Sequence, residues 1–264
     1  MTESKLLSAL YVKYDISNLK LGKIGDKLGD LYEEFVVSIL NCDEFLQDFN
    51  INKTYNSFEY ELFYKILNAC ELSFSDGIQR IEATSEIPHR STGGLPKTDV
   101  IATVFLSSGE CRNYPMSVKQ STVPKVAVAE FDVGTIAAEV GITDPRLIYL
   151  LTKHQTDKSA KNFTQVERDD LRTLMKPIAR EFVRWAITGS PKKSEDLSFP
   201  HYLVKFHLAK ESYKLNRYNV FDIDDYVDHI MVGKNGKIKS GGYGTGLSWT
   251  YATGSAGKRI QFKA

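Results

Sequence analysis

Two short apolar runs joined by a turn constrain this chain most. TDVIATVFL at 98–106 is rich in β-branched and apolar residues, SSGECR follows as a turn signal, and YPMSVK resumes at 114–119 with Pro115 near its start. The pattern predicts an antiparallel hairpin. Side chains alternate along a strand, so Asp99 shares a face with Ile101, while Ser117 shares one with Pro115 and Lys119. A hairpin centred near Ser108 puts Asp99 opposite Ser117 and diagonal to Lys119. Opposed Cβ atoms lie about 5 Å apart and diagonal ones about 7–8 Å. An acid, a hydroxyl and an ammonium then converge on one side of a ribbon.

Such a trio suits phosphodiester hydrolysis. A hard divalent ion needs carboxylate oxygens, which Asp99 supplies, and Lys119 can orient a water or neutralise charge on the reacting phosphate. Asp–Lys pairs also occur on solvated sheet faces, where they contribute about a few tenths of a kcal/mol, so the pattern by itself leaves both readings open. A third group bears on the choice. Residues 24–46 place Ile24, Leu28, Leu31, Tyr32, Phe35 and Ile39 at helical spacing, and Gly29 lies one turn before Glu33 on a stripe flanking that apolar face. A glycine there is expected to let the helix approach a sheet edge and bring Glu33 towards Asp99, against the alternative of Glu33 as a solvated helix acid.

A second helix is expected over 56–72. Thr164-Gln165-Val166-Glu167 forms a capping box for a helix carrying Leu171, Leu174 and Met175. Pro177 should kink or restart that helix, which continues to about Thr188 before Gly189 and Pro191. Strands are expected at 201–208 and 213–221, then a short helix from Ile223 to about Ile230. Helices, a hairpin, helices and further strands describe an α/β fold with a central mixed sheet.

Charge is unevenly divided. Lys234, Lys237, Lys239, Lys258, Arg259 and Lys263 lie within 231–264, a stretch with no Asp or Glu, whereas the preceding residues hold all 33 acids. A charge run is often a solvated tail. This one also carries Ile238, Tyr243, Leu247, Trp249, Tyr251, Ile260 and Phe262, too many anchors for a free tail, and eight of the chain's 18 glycines. Basic groups, aromatics and glycines on an ordered segment suit a nucleic-acid surface.

Other chemistries fit poorly. Cys42, Cys70 and Cys111 are scattered, without C-x-x-C spacing, which argues against a disulfide framework or a zinc site. The five histidines form no H-x-x-x-H or H-N-H cluster, and neither a phosphate-binding G-x-x-x-x-G-K-[ST] loop nor a G-x-S-x-G elbow is present. Gly244-Thr245-Gly246 is a lone G-x-G and a weak signal. With no apolar run of membrane-spanning length and no signal-peptide core behind MTESKLL, the expected location is cytoplasmic.

Longer strings go further. LGDLYEEF (28–35), GGLPKTD (93–99), VAEFDV (128–133), KHQTDKSAKNFT (153–164), REFVRWAIT (180–188), IDDYV (223–227) and GYGTGLSWTYATGSAGKRIQFKA (242–264) resemble the MspI family of Type II restriction endonucleases, within the PD-(D/E)XK nuclease superfamily. The resemblance implies a single restriction endonuclease domain over 1–264. Its catalytic core is expected over roughly 20–160 and its DNA-recognition part over roughly 200–264. It implies Mg²⁺ as cofactor, double-stranded DNA as partner and CCGG as target, cut after the first C. No membrane and no obligate protein partner are expected. A cognate DNA methyltransferase is implied biologically.

Residue by residue, the resemblance makes Asp99 a metal ligand, Lys119 the catalytic lysine and Glu33 a first-helix acid near the metal. Ser117 departs from the pattern, standing where the superfamily usually has Glu, Asp or Gln and this family Asn. A hydroxyl can hold a metal-bound water but adds no charge, which puts metal affinity in question. Thr250, Ala252, Thr253, Ser255, Gln261 and Lys263 match positions that face DNA, Lys258 and Arg259 suit phosphates, and Lys125 suits a phosphate or recognition role beside its reading as a surface lysine. Two other functions stay open on these residues. One is a sequence-specific DNA-binding protein with impaired nuclease activity, motivated by Ser117. The other is a structure-specific repair nuclease on the same core.

Overall fold

The computed structural model describes residues 4–16, 21–90, 95–252, 254 and 257–264, the side chains of 21–23 excepted. In chain order the helices are α1 (Lys5–Lys13), α2 (Leu21–Leu40), α3 (Asp43–Asn50), α4 (Phe58–Ala69), α5 (Val133–Val140), α6 (Pro145–Asp157), α7 (Gln165–Met175), α8 (Ala179–Thr188) and α9 (Ile223–Met231). The strands are β1 (Ile78–Thr84), β2 (Val100–Leu106), β3 (Cys111–Ser121), β4 (Ala127–Phe131), β5 (Tyr202–Leu208), β6 (Leu215–Asp222), β7 (Ser248–Thr250) and β8 (Ile260–Lys263). Among the described residues no helix is long and apolar enough to cross a membrane.

The chain forms two compact units, Met1–Pro124 with Glu195–Asp222, and Lys125–Ser194 with Ile223–Ala264. This divides the molecule differently from the expected 20–160 core and 200–264 recognition part. β5 and β6 belong to the first unit because they complete its sheet, and 125–160 belongs to the second.

The first unit is a mixed sheet of order β1-β2-β3-β5-β6, with β3 and β5 parallel and the other pairs antiparallel. Its even-numbered face (Val100, Ala102, Val104, Met116, Val118, Val204, Phe206) packs into one core with Leu28, Leu31, Tyr32, Phe35 and Ile39 of α2. Tyr32, Phe35 and Ile39 are fully buried, and each such side chain contributes about 1.5–3 kcal/mol. Truncating Phe35, which packs edge-on against Tyr32 and Phe206, should cost about 3–5 kcal/mol.

The helix expected over 24–46 is interrupted at Asn41-Cys42. The Asn41 amide explains the break: Nδ2 donates to Ala83 O at 3.0 Å and Oδ1 accepts from Ala83 N at 2.7 Å, as a further strand would. That bond places β1, which the sequence pattern did not announce. Arg80 and Glu82 are exposed on this edge strand, where charge discourages pairing with another chain.

The second unit holds a three-stranded antiparallel sheet, β4-β8-β7. The Thr164–Glu167 capping box forms at the start of α7. A 3-10 turn at Lys176–Ile178 carries Pro177, and α8 ends at Gly189 in a left-handed conformation. The aromatic face of α8 lies against the small sheet, with Phe182 stacked on Trp249 and edge-on to Phe262.

Candidate active site

The hairpin pairs Val100 with Met116 and Thr103 with Asn113, the register expected for a turn centred at Ser108. Asp99 lies one residue before β2, anchored by its N–H to Met116 O at 2.8 Å, and so faces Ser117. One of its oxygens, Oδ2, accepts from Ser117 Oγ at 2.9 Å, Val118 N at 2.7 Å and Lys119 Nζ at 2.7 Å. Three donors on one oxygen fix the plane of the carboxylate. Oδ1 takes no partner among the described residues.

Glu33 reaches the same site from α2. Burial, followed by the nearby Asp99 charge, pushes its carboxyl up to about 7, although Lys119 pulls the other way. No hydrogen-bond donor among the described residues holds it. Gly29 is not what allows the approach. A Cβ there would meet Gln120 Nε2 at 3.7 Å and Glu33 Oε1 at 3.9 Å, which is ordinary contact. Gln120 fixes the crossing instead, donating from Nε2 to Gly25 O at 3.0 Å.

Two neighbouring carboxylates, one with an oxygen unpartnered and one without a donor among the described residues, could form a donor set for a hard divalent cation. Among the described residues no cluster of three His, Cys, Asp or Glu side chains could hold a metal. The remaining coordination positions of a divalent ion held by this pair would fall to water and substrate oxygens.

In the second unit, β8 pairs Gln261 with Glu130 and Thr250, and Lys263 with Ala127 and Ser248. Ile260 and Phe262 alternate with these residues and are fully buried. Gln261 Nε2 donates to Glu130 Oε2 at 3.0 Å, and Thr250 Oγ1 donates to Gln261 Oε1 at 3.2 Å. Lys125 Nζ donates to Ser248 Oγ at 2.9 Å and Gly246 O at 3.2 Å. Gly246 itself must be glycine: its φ is +73°, and a Cβ would fall 2.2 Å from Ile230 O at the end of α9.

Comparison with known proteins now decides the family. A family model described as Restriction endonuclease MspI matches residues 10–264. The chain belongs to the MspI family of restriction endonucleases. Members are Type II site-specific deoxyribonucleases, an enzyme class that generally uses divalent metal ions. The chain is 37% identical over 265 residues to the Type II restriction enzyme MspI of Moraxella sp, covering 98% of this chain and 99% of that one. It is 27% identical over 256 residues to the Type II restriction enzyme BsuFI of Bacillus subtilis, covering 93% of this chain and 61% of the relative. A crystal structure of restriction endonuclease MspI with its cognate DNA superimposes with a TM-score of 0.87 at 35% identity, covering 99% of each chain.

Within this MspI-family fold, the structure brings Asp99, Ser117, Lys119 and Glu33 together. Lys125, Thr250, Gln261 and Lys263 belong to the small sheet and the loop beside it, and Lys258 and Arg259 are exposed just before β8. Ala252 is half-buried after β7, and Thr253 and Ser255 lie outside the described residues. Two supporting groups were not read from the sequence, Glu130 and His154, the partner of the anchor Tyr251. Glu130 holds Gln261, and its signal was the charged residue in the otherwise apolar VAEF. Tyr251 pins the segment to α6: its OH donates to His154 O at 2.6 Å and lies 2.6 Å from His154 Nδ1. A hydroxyl has one proton, so Nδ1–H donates back to Tyr251. Burial holds His154 down at about 4, so it is neutral.

Proposed function

We propose that this restriction endonuclease recognises CCGG in double-stranded DNA and hydrolyses the phosphodiester after the first C, with Mg²⁺ held by Asp99 and Glu33. The observation that carries the chemistry is the convergence of Glu33, Ser117 and Lys119 on Asp99. Target and ion are supported by family membership and by the likeness to an enzyme bound to its cognate DNA.

When bound, Mg²⁺ would withdraw charge from the scissile phosphate and lower the pKa of a coordinated water. The chain's own groups do the positioning. Ser117 and Val118 N hold Asp99 Oδ2, which turns Oδ1 outward. Lys119, 2.7 Å from the same carboxylate, keeps an ammonium where it can orient the attacking water or offset charge building on phosphorus. Glu33 would supply the second carboxylate, its proton displaced to water when the cation binds. On the small sheet, Gln261 and Lys263 would read base edges, while Lys258 and Arg259 would meet phosphates. Such an enzyme acts on cytoplasmic DNA, and a cell carrying it needs a cognate methyltransferase to protect its own sites.

Mapping cut ends on plasmid DNA with Mg²⁺ tests the proposal. Cuts confined to CCGG, after the first C, are expected. Specific binding without cutting in either Mg²⁺ or Mn²⁺ would make this a DNA-binding protein with lost nuclease activity. Cuts confined to branched or damaged DNA would make it a repair nuclease.

A further inference from the structure

Lys119 is the first of several basic groups on the odd-numbered face of the main sheet. The parallel β3–β5 pairing sets Lys119 beside Lys205 and Ser121 beside His207. The antiparallel β5–β6 pairing then sets Lys205 beside Asn219 and His207 beside Arg217. Residues paired across strands point to the same face, so Lys119, Lys205, His207 and Arg217 form one stripe running away from the catalytic carboxylates. Two strand spacings across and two residues along make it on the order of 12 Å long, enough to follow a nucleic-acid backbone past one or two phosphates.

We propose that this stripe is a phosphate track, with Arg217 and His207 seating the DNA backbone beside the scissile bond and Lys205 supporting them from within the sheet. The proposal rests on the DNA-cutting reading above and extends it to a surface of the first unit that neither the resemblance nor the cationic C-terminal segment pointed to.

The environment of the stripe supports the assignment. Lys205 is buried, and its Nζ lies 3.4 Å from Pro124 O, which ties the end of the loop after β3 to the strand beside Lys119. His207 is half-buried and Arg217 exposed. Arg217 makes no salt bridge among the described residues. The imidazole of His207 is held below its ordinary pKa by burial, then by the charges of Arg217 and Lys205, against a hydrogen bond with Asn219. Arg217 and Lys205 repel each other across this neutral imidazole, which favours an incoming anion, and that anion would in turn favour the protonated form of His207. A phosphate arriving between them would relieve that repulsion, and a duplex offers phosphates at regular spacing. The competing explanation is that Arg217 merely guards β6, an edge strand, against pairing with another chain. A guard makes no contact with DNA.

Arg217→Ala and His207→Gln, with the wild type, would be titrated with a CCGG duplex and a scrambled duplex at several salt concentrations. A second set of CCGG duplexes would carry a single neutral methylphosphonate at each position flanking the cut. We expect each variant to weaken binding to both duplexes by a similar factor and to flatten the log K against log salt slope by about 0.9 per lost phosphate contact. One methylphosphonate position should weaken the wild type but leave Arg217→Ala no weaker than it already is, because the contact is removed from both sides. Wild-type slopes in both variants, or losses that add at every position, would overturn the track while leaving the nuclease assignment intact. A wild type that neither binds nor cuts CCGG would overturn both.

Discussion

Ser117 and Asp99 face each other across the hairpin, and the Ser117 hydroxyl donates to Asp99 Oδ2 at 2.9 Å. Ser117 is 1% exposed, so its oxygen is committed to the carboxylate. An acid at 117 would reverse this relationship by replacing a donor with a second charge. In metal-free protein, Ser117→Asp should therefore cost on the order of 2 kcal/mol, because the two carboxylates repel in a buried setting. Added Mg²⁺ should raise its melting temperature more than it raises the wild type's, since the extra charge now serves the cation. Thermal melts with and without Mg²⁺ check both halves. A variant that gains no more from Mg²⁺ than the wild type would show that position 117 does not address the metal.

Asp99→Ala should abolish cleavage while leaving specific DNA binding in Ca²⁺ largely intact. It also removes the acid paired with Lys119, whose side chain is 28% exposed. Lys119→Ala should stop turnover, and Lys119→Arg should not restore it, because a guanidinium is broad and planar and would displace the water that an ammonium positions. Single-turnover cleavage assays decide the point. Activity within tenfold of wild type in Asp99→Ala, or robust turnover in Lys119→Arg, would remove these roles.

The hairpin register was legible because alternation and a short turn leave little freedom, and Asp99 duly faces Ser117. The capping box at Thr164, the turn at Pro177 and the apolar face of α2 were legible for the same reason: each is set by local spacing. Contacts made by single polar side chains at long range were not. The Asn41 bonds to Ala83 break the first long helix and place β1, yet neither residue has a neighbour in sequence that announces the pairing. Glu130 and His154 acquire their roles only when β8 and Tyr251 arrive from more than 90 positions away.

Gly29 is where the sequence argument assigned the wrong cause. Glu33 does reach Asp99, but the space a Cβ would need at Gly29 is free. Gly29→Ala should consequently stabilise α2 by up to about 1 kcal/mol through helix propensity and leave cleavage unchanged. A chemical denaturation midpoint below that of the wild type would show that the helix does need its glycine.

His154 gives the protein a definite response to acid. The folded state keeps it neutral down to about 4, whereas the unfolded chain protonates near the ordinary 6.5. The unfolded state thus binds more protons between these values, and stability falls as pH drops from about 6.5 towards 4. The full loss is about 3 kcal/mol, reached when pH is below both values. His154→Gln should lack this contribution, so the difference in unfolding free energy between variant and wild type should shrink on acidification. A difference that stays constant from pH 7 to pH 4.5 would mean that His154 is not protected from protons.

Glu130 and Thr250 together aim the Gln261 amide. An amide is ambiguous, since either end can face a base, and a wrongly turned Gln donates where it should accept. Glu130 removes the ambiguity. Its carboxylate only accepts, so the Gln261 NH₂ must point to it at 3.0 Å, while Oε1 receives the Thr250 hydroxyl at 3.2 Å. One N–H and one lone pair remain in a fixed arrangement for the base edge that Gln261 is proposed to read. Glu130→Gln keeps the size of the side chain but can donate or accept, which frees the Gln261 amide to turn over. It also removes a negative charge from a surface proposed to meet DNA. The two effects have opposite signs on different substrates. Binding to a scrambled duplex should strengthen, because repulsion of phosphates is relieved, while the preference for CCGG should narrow by about 1 kcal/mol, at the low end of a lost base contact. Lys263→Ala, by contrast, should lose about 1–3 kcal/mol on CCGG and much less on the scrambled duplex. Paired titrations of the two variants on both duplexes separate the cases. If Glu130→Gln strengthens both duplexes equally, Glu130 acts only through its charge, and the orientation of Gln261 must be set by Thr250 alone.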